Sequence, residues 1–411
     1  MTIFVNVLLA IVVALALCLF LSRRLLESAR WRATVTPLAS IIGSGFLVSI
    51  PLLSNAVGNA AIYAMAGLVL YAFWVGGAIR FNILYGEPIF EAHAANLSAR
   101  VALLTERVSQ IALACAYFVS VAYYLSLLSL FLLKGLGQDD PWMARALTTG
   151  LLVFIGMIGF LRGLKGLERI EEYAVGFKLA VIVAILVALA GHNVSLFAHG
   201  EWALNTLPAH FDVETFRALL GFVIVVQGFE TSRFLAGEYP PEQRVRTMRD
   251  AQILSGGIYL VFFALATVMF KAHFADGEVA AIVDMVGVVA IILPLLLTAA
   301  AIASQFSASV ADAIGGAGLM HQAVRRRIPL KMFYPLLTGI AVLIVWTGSV
   351  FDIIALASRA FAFYYALQCL VAVLVVLAKK DLQRRLLRAT WFAFLSLLSL
   401  GAALYGLPAS A

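Results

Sequence analysis

Long apolar runs separated by short polar segments dominate the chain. Twelve such runs fall near residues 2–21, 35–54, 60–81, 108–133, 142–161, 173–191, 214–235, 252–272, 283–310, 333–350, 354–378 and 389–407. Most are close to the ~20 residues a helix needs to cross a hydrocarbon layer. A backbone in lipid must satisfy its own hydrogen bonds, which leaves helices and closed barrels. Runs that are continuously apolar, rather than alternating, select helices. The pattern predicts an all-α polytopic membrane protein with twelve transmembrane helices. The run at 2–21 has no basic leader and no small-residue cleavage site, so it is expected to stay as a helix.

Composition removes the soluble alternatives. Hydrophobic residues make up 63% of the 411 residues and charged residues 12%, with a mean hydropathy of +1.00. So few charges cannot cover a water-facing surface, and twelve spans leave no length for a separate catalytic domain. HExxH, GxSxG and Walker patterns are missing from the sequence, so no enzyme, cofactor or metal is expected, nor nucleotide-driven transport by this chain alone. Cys18, Cys115 and Cys369 each lie in an apolar run and read as small buried hydrophobes rather than a disulfide or zinc framework.

Charge supplies orientation. The net +7 sits in short loops, which argues against a nucleic-acid patch. Of the 29 Lys and Arg residues, 23 fall on one set of alternate loops, among them Arg23, Arg30, Arg100, Arg162, Arg244, Arg326 and Arg385. The opposite loops hold only Lys134, Arg145 and Lys271. By the positive-inside bias the basic loops are cytoplasmic and both termini lie outside. The expected location is the plasma membrane, of bacterial inner-membrane type. Nothing in the pattern sets an oligomeric state.

Two runs are interrupted, one by Ile42-Gly43-Ser44-Gly45 and the other by Gln227-Gly228-Phe229-Glu230. Each interruption opens a block of five spans, 34–191 and 212–378. The remainder is an additional N-terminal helix with its basic loop (1–33), an outer loop (192–211), and a basic loop with a last helix (379–411). An odd number of spans per block gives the blocks opposite topology. Interrupted helices at matching places in inverted halves point to a transporter's binding site, because broken backbone at membrane depth is tolerated only around a polar cavity.

The stretch Ile41-Ile42-Gly43-Ser44-Gly45-Phe46, followed by Pro51, resembles the first-helix signature of the amino acid–polyamine–organocation (APC) transporter superfamily. Gln227-Gly228-Phe229-Glu230, with Ala236-Gly237-Glu238, Pro240-Pro241, Arg244 and Arg246, resembles that superfamily's sixth helix and following loop. Phe177-Lys178-Leu179 resembles its fifth. The resemblance spans roughly 34–378. It implies the leucine-transporter-type fold of two inverted five-helix repeats, and alternating-access symport of a small amino acid or related amine. The additional first helix departs from the family, as does Thr247-Met248-Arg249-Asp250-Ala251 in place of a Pro-containing run.

Site candidates follow from both readings. Amides freed around Ile42, Gly43, Ser44 and Gly45 suit a carboxylate, or these small residues simply let helices pack closely. Carbonyls freed at Gln227 and Gly228 suit an ammonium. Phe229 is placed to cap the site. Glu230, an acid near the bilayer centre, is functional or holds the broken helix together. Lys178 either snorkels to the surface or, as the resemblance implies, stands in for a sodium ion and couples transport to protons. Tyr117, Ser120 and Tyr124 share one helix face at i, i+3, i+7 and either line the cavity or belong to an interfacial aromatic band. Ser304 and Ser307 share a face and supply hydroxyls for the alternative, a Na+ site. Arg359 is expected to snorkel, and His192, His199 and His210 to be solvated. A sodium-coupled symporter, an inorganic-ion carrier and a solute sensor on the same fold remain the competing readings.

Overall fold

The computed structural model describes residues 2–91, 96–164, 168–204, 212–269, 280–379 and 381–408. All regular structure in them is helical. Nine stretches among the described residues are long and apolar enough to cross a membrane; the first of these, Ala29–Phe90, takes in two of the expected runs. The expected runs at 2–21 and 214–235 form shorter helical pieces.

The chain begins with α1 (Thr2–Phe20) and a single turn, α2 (Arg23–Leu26). The first interrupted run is α3 (Ala29–Ile41) and α4 (Ser44–Val57), followed by α5 (Ala61–Phe81), which passes through a π-turn into α6 (Glu87–Glu91). Three long helices follow: α7 (Leu97–Gly135), α8 (Pro141–Arg162) and α9 (Glu168–Ala198). The second interrupted run is α10 (Val213–Leu220) with 3₁₀ segments Val223–Val226 and Phe229–Gly237. Beyond it lie α11 (Pro241–Ala266), α12 (Ile282–Val289), α13 (Ile292–Ala323), α14 (Phe333–Thr347), α15 (Val350–Ala378) and α16 (Arg385–Tyr405).

Helix α7 is the axis of the molecule. It packs along α13 and α15, and its stretch Ala116–Ser129 is buried without a break. Glycines on α13 permit this: a Cβ on Gly316 would lie 3.0 Å from the Phe118 ring, and one on Gly315 3.1 Å from Tyr117. The additional helix α1 packs on α9 through Val13 and Ala16 against Ala180 and Ala184. Leu21 follows in close contact, 2.8 Å from where a Cβ on Gly176 would stand. Phe20 stacks on Trp31 of α3, ring centroids 6.1 Å apart, which ties the N-terminal hairpin to the first interrupted run.

Several expected boundaries are corrected. The fifth-helix run continues past Gly191 to Ala198. A glycine in a helix interior costs only ~1 kcal/mol, and the true stop is Gly200 at φ +71°. There the Gly200 N–H reaches Phe197 O (3.1 Å) and the Glu201 N–H reaches Leu196 O (2.9 Å), a paired C-terminal cap. Residues 192–198, expected in a loop, are therefore helical; His210 and Lys271 lie outside the described residues. The run at 283–310 is two helices, because a continuous helix would drive the Pro294 ring into the carbonyl four residues back. That residue, Ala290, is extended instead (φ −157°, ψ 140°). Cys369 is buried as expected, but Cys18 and Cys115 are exposed on their helices. Apolar surroundings there mean lipid-facing surface rather than core.

Arg217 and Arg359 do not approach the breaks. Arg217 Nε donates to Tyr405 O (3.1 Å) and Arg359 Nε to Ala403 O (2.9 Å). Both satisfy carbonyls left open at the C-terminus of α16, where the helix dipole favours cations.

Candidate functional site

The two interruptions are real and they touch. Helix α3 stops at Ile41, and the Gly43 N–H turns back to Ser40 O (3.2 Å) before α4 starts at Ser44. In the second run Gln227 is extended and Gly228 adopts φ +115°, a conformation open to glycine and strained for other residues. A Cβ added to Gly45 would strike the Val225 carbonyl oxygen and lie 2.6 Å from the Val225 Cα. One added to Gly228 would lie 2.6 Å from the Ser40 Cβ. These glycines thus bring two backbones into contact. The close-packing reading of Gly45 is the one the geometry displays, and the start of α4 abuts the Val225 carbonyl. Ile42 is fully buried at this crossing. Ser44 is the first residue of α4, and its side chain lies outside the described residues.

Tyr259 of α11 joins the two breaks. Its buried hydroxyl lies 3.0 Å from Ile41 O and 2.6 Å from Val225 O. One hydroxyl proton serves two carbonyls, so the junction is rich in acceptors. A cavity of about 10 Å³ beside it, lined by Ile41, Val226, Gln252 and Tyr259, is roughly the size of one water.

Lys178 does not snorkel. It is 6% exposed, and Nζ donates to Ala39 O at 2.6 Å. The break explains why that carbonyl accepts. In a continuous helix Ala39 O would receive the N–H of Gly43, which here turns to Ser40. The ammonium takes its place, a charge-assisted bond shorter than a neutral one. Helix α9 begins at Glu168, so Lys178 lies almost three turns inside it, deeper than a start near Glu171 implies.

The second break carries the acidic counterpart. Glu230 is fully buried. Its Oε2 accepts from the Gly228 N–H (3.0 Å) and the Tyr365 hydroxyl (2.9 Å), while Oε1 has no hydrogen-bond partner. Glu230 therefore caps its own helix break and keeps one oxygen unused. Phe229 stacks on Tyr365 with ring centroids 5.1 Å apart. Gln227 Nε2 meets the Tyr124 hydroxyl at 2.6 Å, and Gln227 Oε1 is buried without a partner. On the same face of α7, the Tyr117 ring packs against Phe361 and Phe234, and its buried hydroxyl also lacks a hydrogen bond. Ser120 Oγ donates to the carboxylate of Asp312 on α13. Tyr117, Ser120 and Tyr124 are all buried, and Tyr124 reaches the second break through Gln227. Ser304 is buried with no hydrogen bond to Oγ, whereas Ser307 is half-buried.

Three groups escaped the sequence reading: Asp312, Tyr259 and the ion pair between Glu106 and Arg233 (2.9 Å). The rule that marks Glu230, that an acid at membrane depth is paired or functional, applies equally to Asp312 and Glu106. Both fell just outside the predicted spans, which ended at 310 and began at 108. The helices themselves run further, and both side chains are buried.

The arrangement is a meeting of two broken helices, bordered by one buried ammonium, buried carboxylates and acceptors that the protein leaves unused. The fold has a counterpart among solved structures. A structure of a mutant manganese transporter of Eremococcus coleocola aligns with a TM-score of 0.54, covering 93% of this chain and 88% of that one, at 13% identity; this likeness concerns the fold alone. An uncharacterized protein of Aquifex aeolicus (strain VF5) is 44% identical over 369 residues, 89% of each chain. The model of the family described as APC superfamily transporter matches residues 23–406. With nearly its whole length matched, the chain belongs to the APC superfamily of membrane transporters.

Proposed function

We propose that the protein is a symporter, moving a small amino acid or related amine by alternating access and coupled to protons. The observation that carries this reading is the Lys178 ammonium on the Ala39 carbonyl, the carbonyl that the first break sets free. Oxygen donors of that kind are what a hard cation seeks; with an ammonium in place, a coupling sodium ion is redundant. Proton loss from Lys178 removes the charge-assisted bond that ties α9 to α3. That is a local charge change able to bias two packings of the same helices. Glu230 Oε1 and Gln227 Oε1 supply acceptors for a substrate ammonium, with Phe229, stacked on Tyr365, between them in sequence.

Ser304 Oγ, buried and unsatisfied, favours the second reading, sodium coupling with Ser304 and Ser307 among the ligands. The manganese transporter among the structural neighbours keeps an inorganic-ion carrier as a third. Purified protein reconstituted into liposomes separates them. Amino acids, amines and simple cations are first screened for thermal stabilisation, and the hits are followed as radiolabelled uptake. The proposal expects uptake raised by an inward proton gradient and indifferent to sodium. Uptake driven by a sodium gradient at equal pH on both sides selects the second reading, and stabilisation by inorganic cations alone selects the third.

A further inference from the structure

The proton-coupling reading requires Lys178 to exchange its proton with one side of the membrane, and a second feature supplies a route. A cavity of about 140 Å³ lies between the N-terminal hairpin, α3, α9 and the end of the second interrupted run. Its walls include Val175, Gly176 and Leu179, which flank Lys178, and Val35 and Thr36, one turn before Ala39 on α3. Residues three apart share a helix face. The cavity therefore borders the same two helices that the Lys178–Ala39 bond joins, one turn nearer the basic loops. Its polar border is Arg32, Thr36, Glu238 and Tyr239. A water needs only ~10–15 Å³ of such space and a few polar partners, so several waters fit. Phe20 and Leu26 of the additional hairpin supply part of its apolar wall. Without that hairpin this part of the wall would be missing.

We propose that this cavity is the cytoplasmic proton route of Lys178, and that the additional N-terminal helix exists to wall it. The inference rests on the coupling role proposed for Lys178. In the exchange step an ammonium N–H bond breaks and an O–H bond forms on a cavity water; the water chain passes a proton to the basic-loop side, and the amine is left neutral. Several charged and titratable groups on the neighbouring helices have partners of their own. Asp312 of α13 accepts from Ser120, and His321 lies at Ile328 O. Asp284 of α12 pairs with Lys134. On α11, Asp250 pairs with Arg30, Arg244 with Glu87, and Tyr259 contacts the break carbonyls. The cavity's own charge is set by Arg32 and Glu238.

Thr36 is the place to test it. In a background with Cys18, Cys115 and Cys369 replaced, Thr36→Cys is expected to react with a membrane-impermeant cationic thiol reagent from the basic-loop side and to resist it from the other. Thr36→Phe, which fills the cavity, is expected to lose proton-driven accumulation while substrate counterflow, which needs no net proton movement, continues. Full proton-driven accumulation in Thr36→Phe, or a Thr36→Cys that stays unlabelled from the basic-loop side, overturns the route. Lys178→Ala run in parallel separates the two levels. If it accumulates substrate like the wild type, the coupling role falls and the route with it. If it fails while Thr36→Phe succeeds, only the route falls.

Discussion

Replacing Arg233 by methionine isolates the energetics of the buried ion pair beside the site. Arg233 lies three residues beyond Glu230 on the 3₁₀ segment Phe229–Gly237, so the two side chains stack on one face. Arg233 Nη2 is 2.9 Å from Glu106 Oε1, with side-chain exposures of 14% and 3%. Glu106 keeps two weaker donors, Gln368 Nε2 at 2.8 Å and Gln110 Nε2 at 3.1 Å. Arg233→Met leaves a buried carboxylate with neutral donors only. Stranding one member of such a pair costs ~3–5 kcal/mol, whereas replacing both is close to neutral. The expected outcome is a clear fall in thermal stability for Arg233→Met and recovery of most of it in Glu106→Gln/Arg233→Met. The coupling energy should be at least ~2 kcal/mol, near the top of the usual range for contacting residues. The assay is thermal unfolding in detergent followed by size-exclusion fluorescence, on the wild type, both single variants and the double variant. Additive effects would show that the pair is not a closed unit and would refute the reasoning.

Two further substitutions address the crossing of the breaks. Gly45→Ala places a methyl group on the Val225 backbone, which cannot yield as a side-chain end would; overpacking of this kind costs ~1–3 kcal/mol, seen as a lower unfolding temperature and loss of uptake. Tyr259→Phe removes the hydroxyl between Ile41 O and Val225 O. It is expected to cost ~1–3 kcal/mol for a buried carbonyl left unpaired, and a variant as stable as the wild type would show that water replaces the hydroxyl.

The helices and both breaks were legible in the sequence because their causes are local. Continuous apolar runs demand helices in lipid, and a glycine at φ +115° between Gln227 and Phe229 stops one. What glycine does at position 45 was not legible, since the carbonyl it accommodates is 180 residues away. The partner of Lys178 was hidden for the same reason: a freed Ala39 carbonyl follows from where α3 ends to within one residue. Asp312 and Glu106 were lost to boundaries. Polar ends of long helices read as loops until their burial against α7, α13 and α15 is seen. The reverse error fell on Cys18 and Cys115, whose apolar setting carries no information about whether protein or lipid surrounds them.

The account stands or falls on Lys178→Ala in sealed proteoliposomes, with accumulation of a stabilising amine or amino acid followed under an imposed pH gradient. The predicted result is that the gradient no longer concentrates substrate, while exchange of internal for external substrate persists. A variant that still concentrates substrate as the wild type does, at matched sodium, would contradict the claim that Lys178, bonded to the broken helix from α9, couples protons to transport.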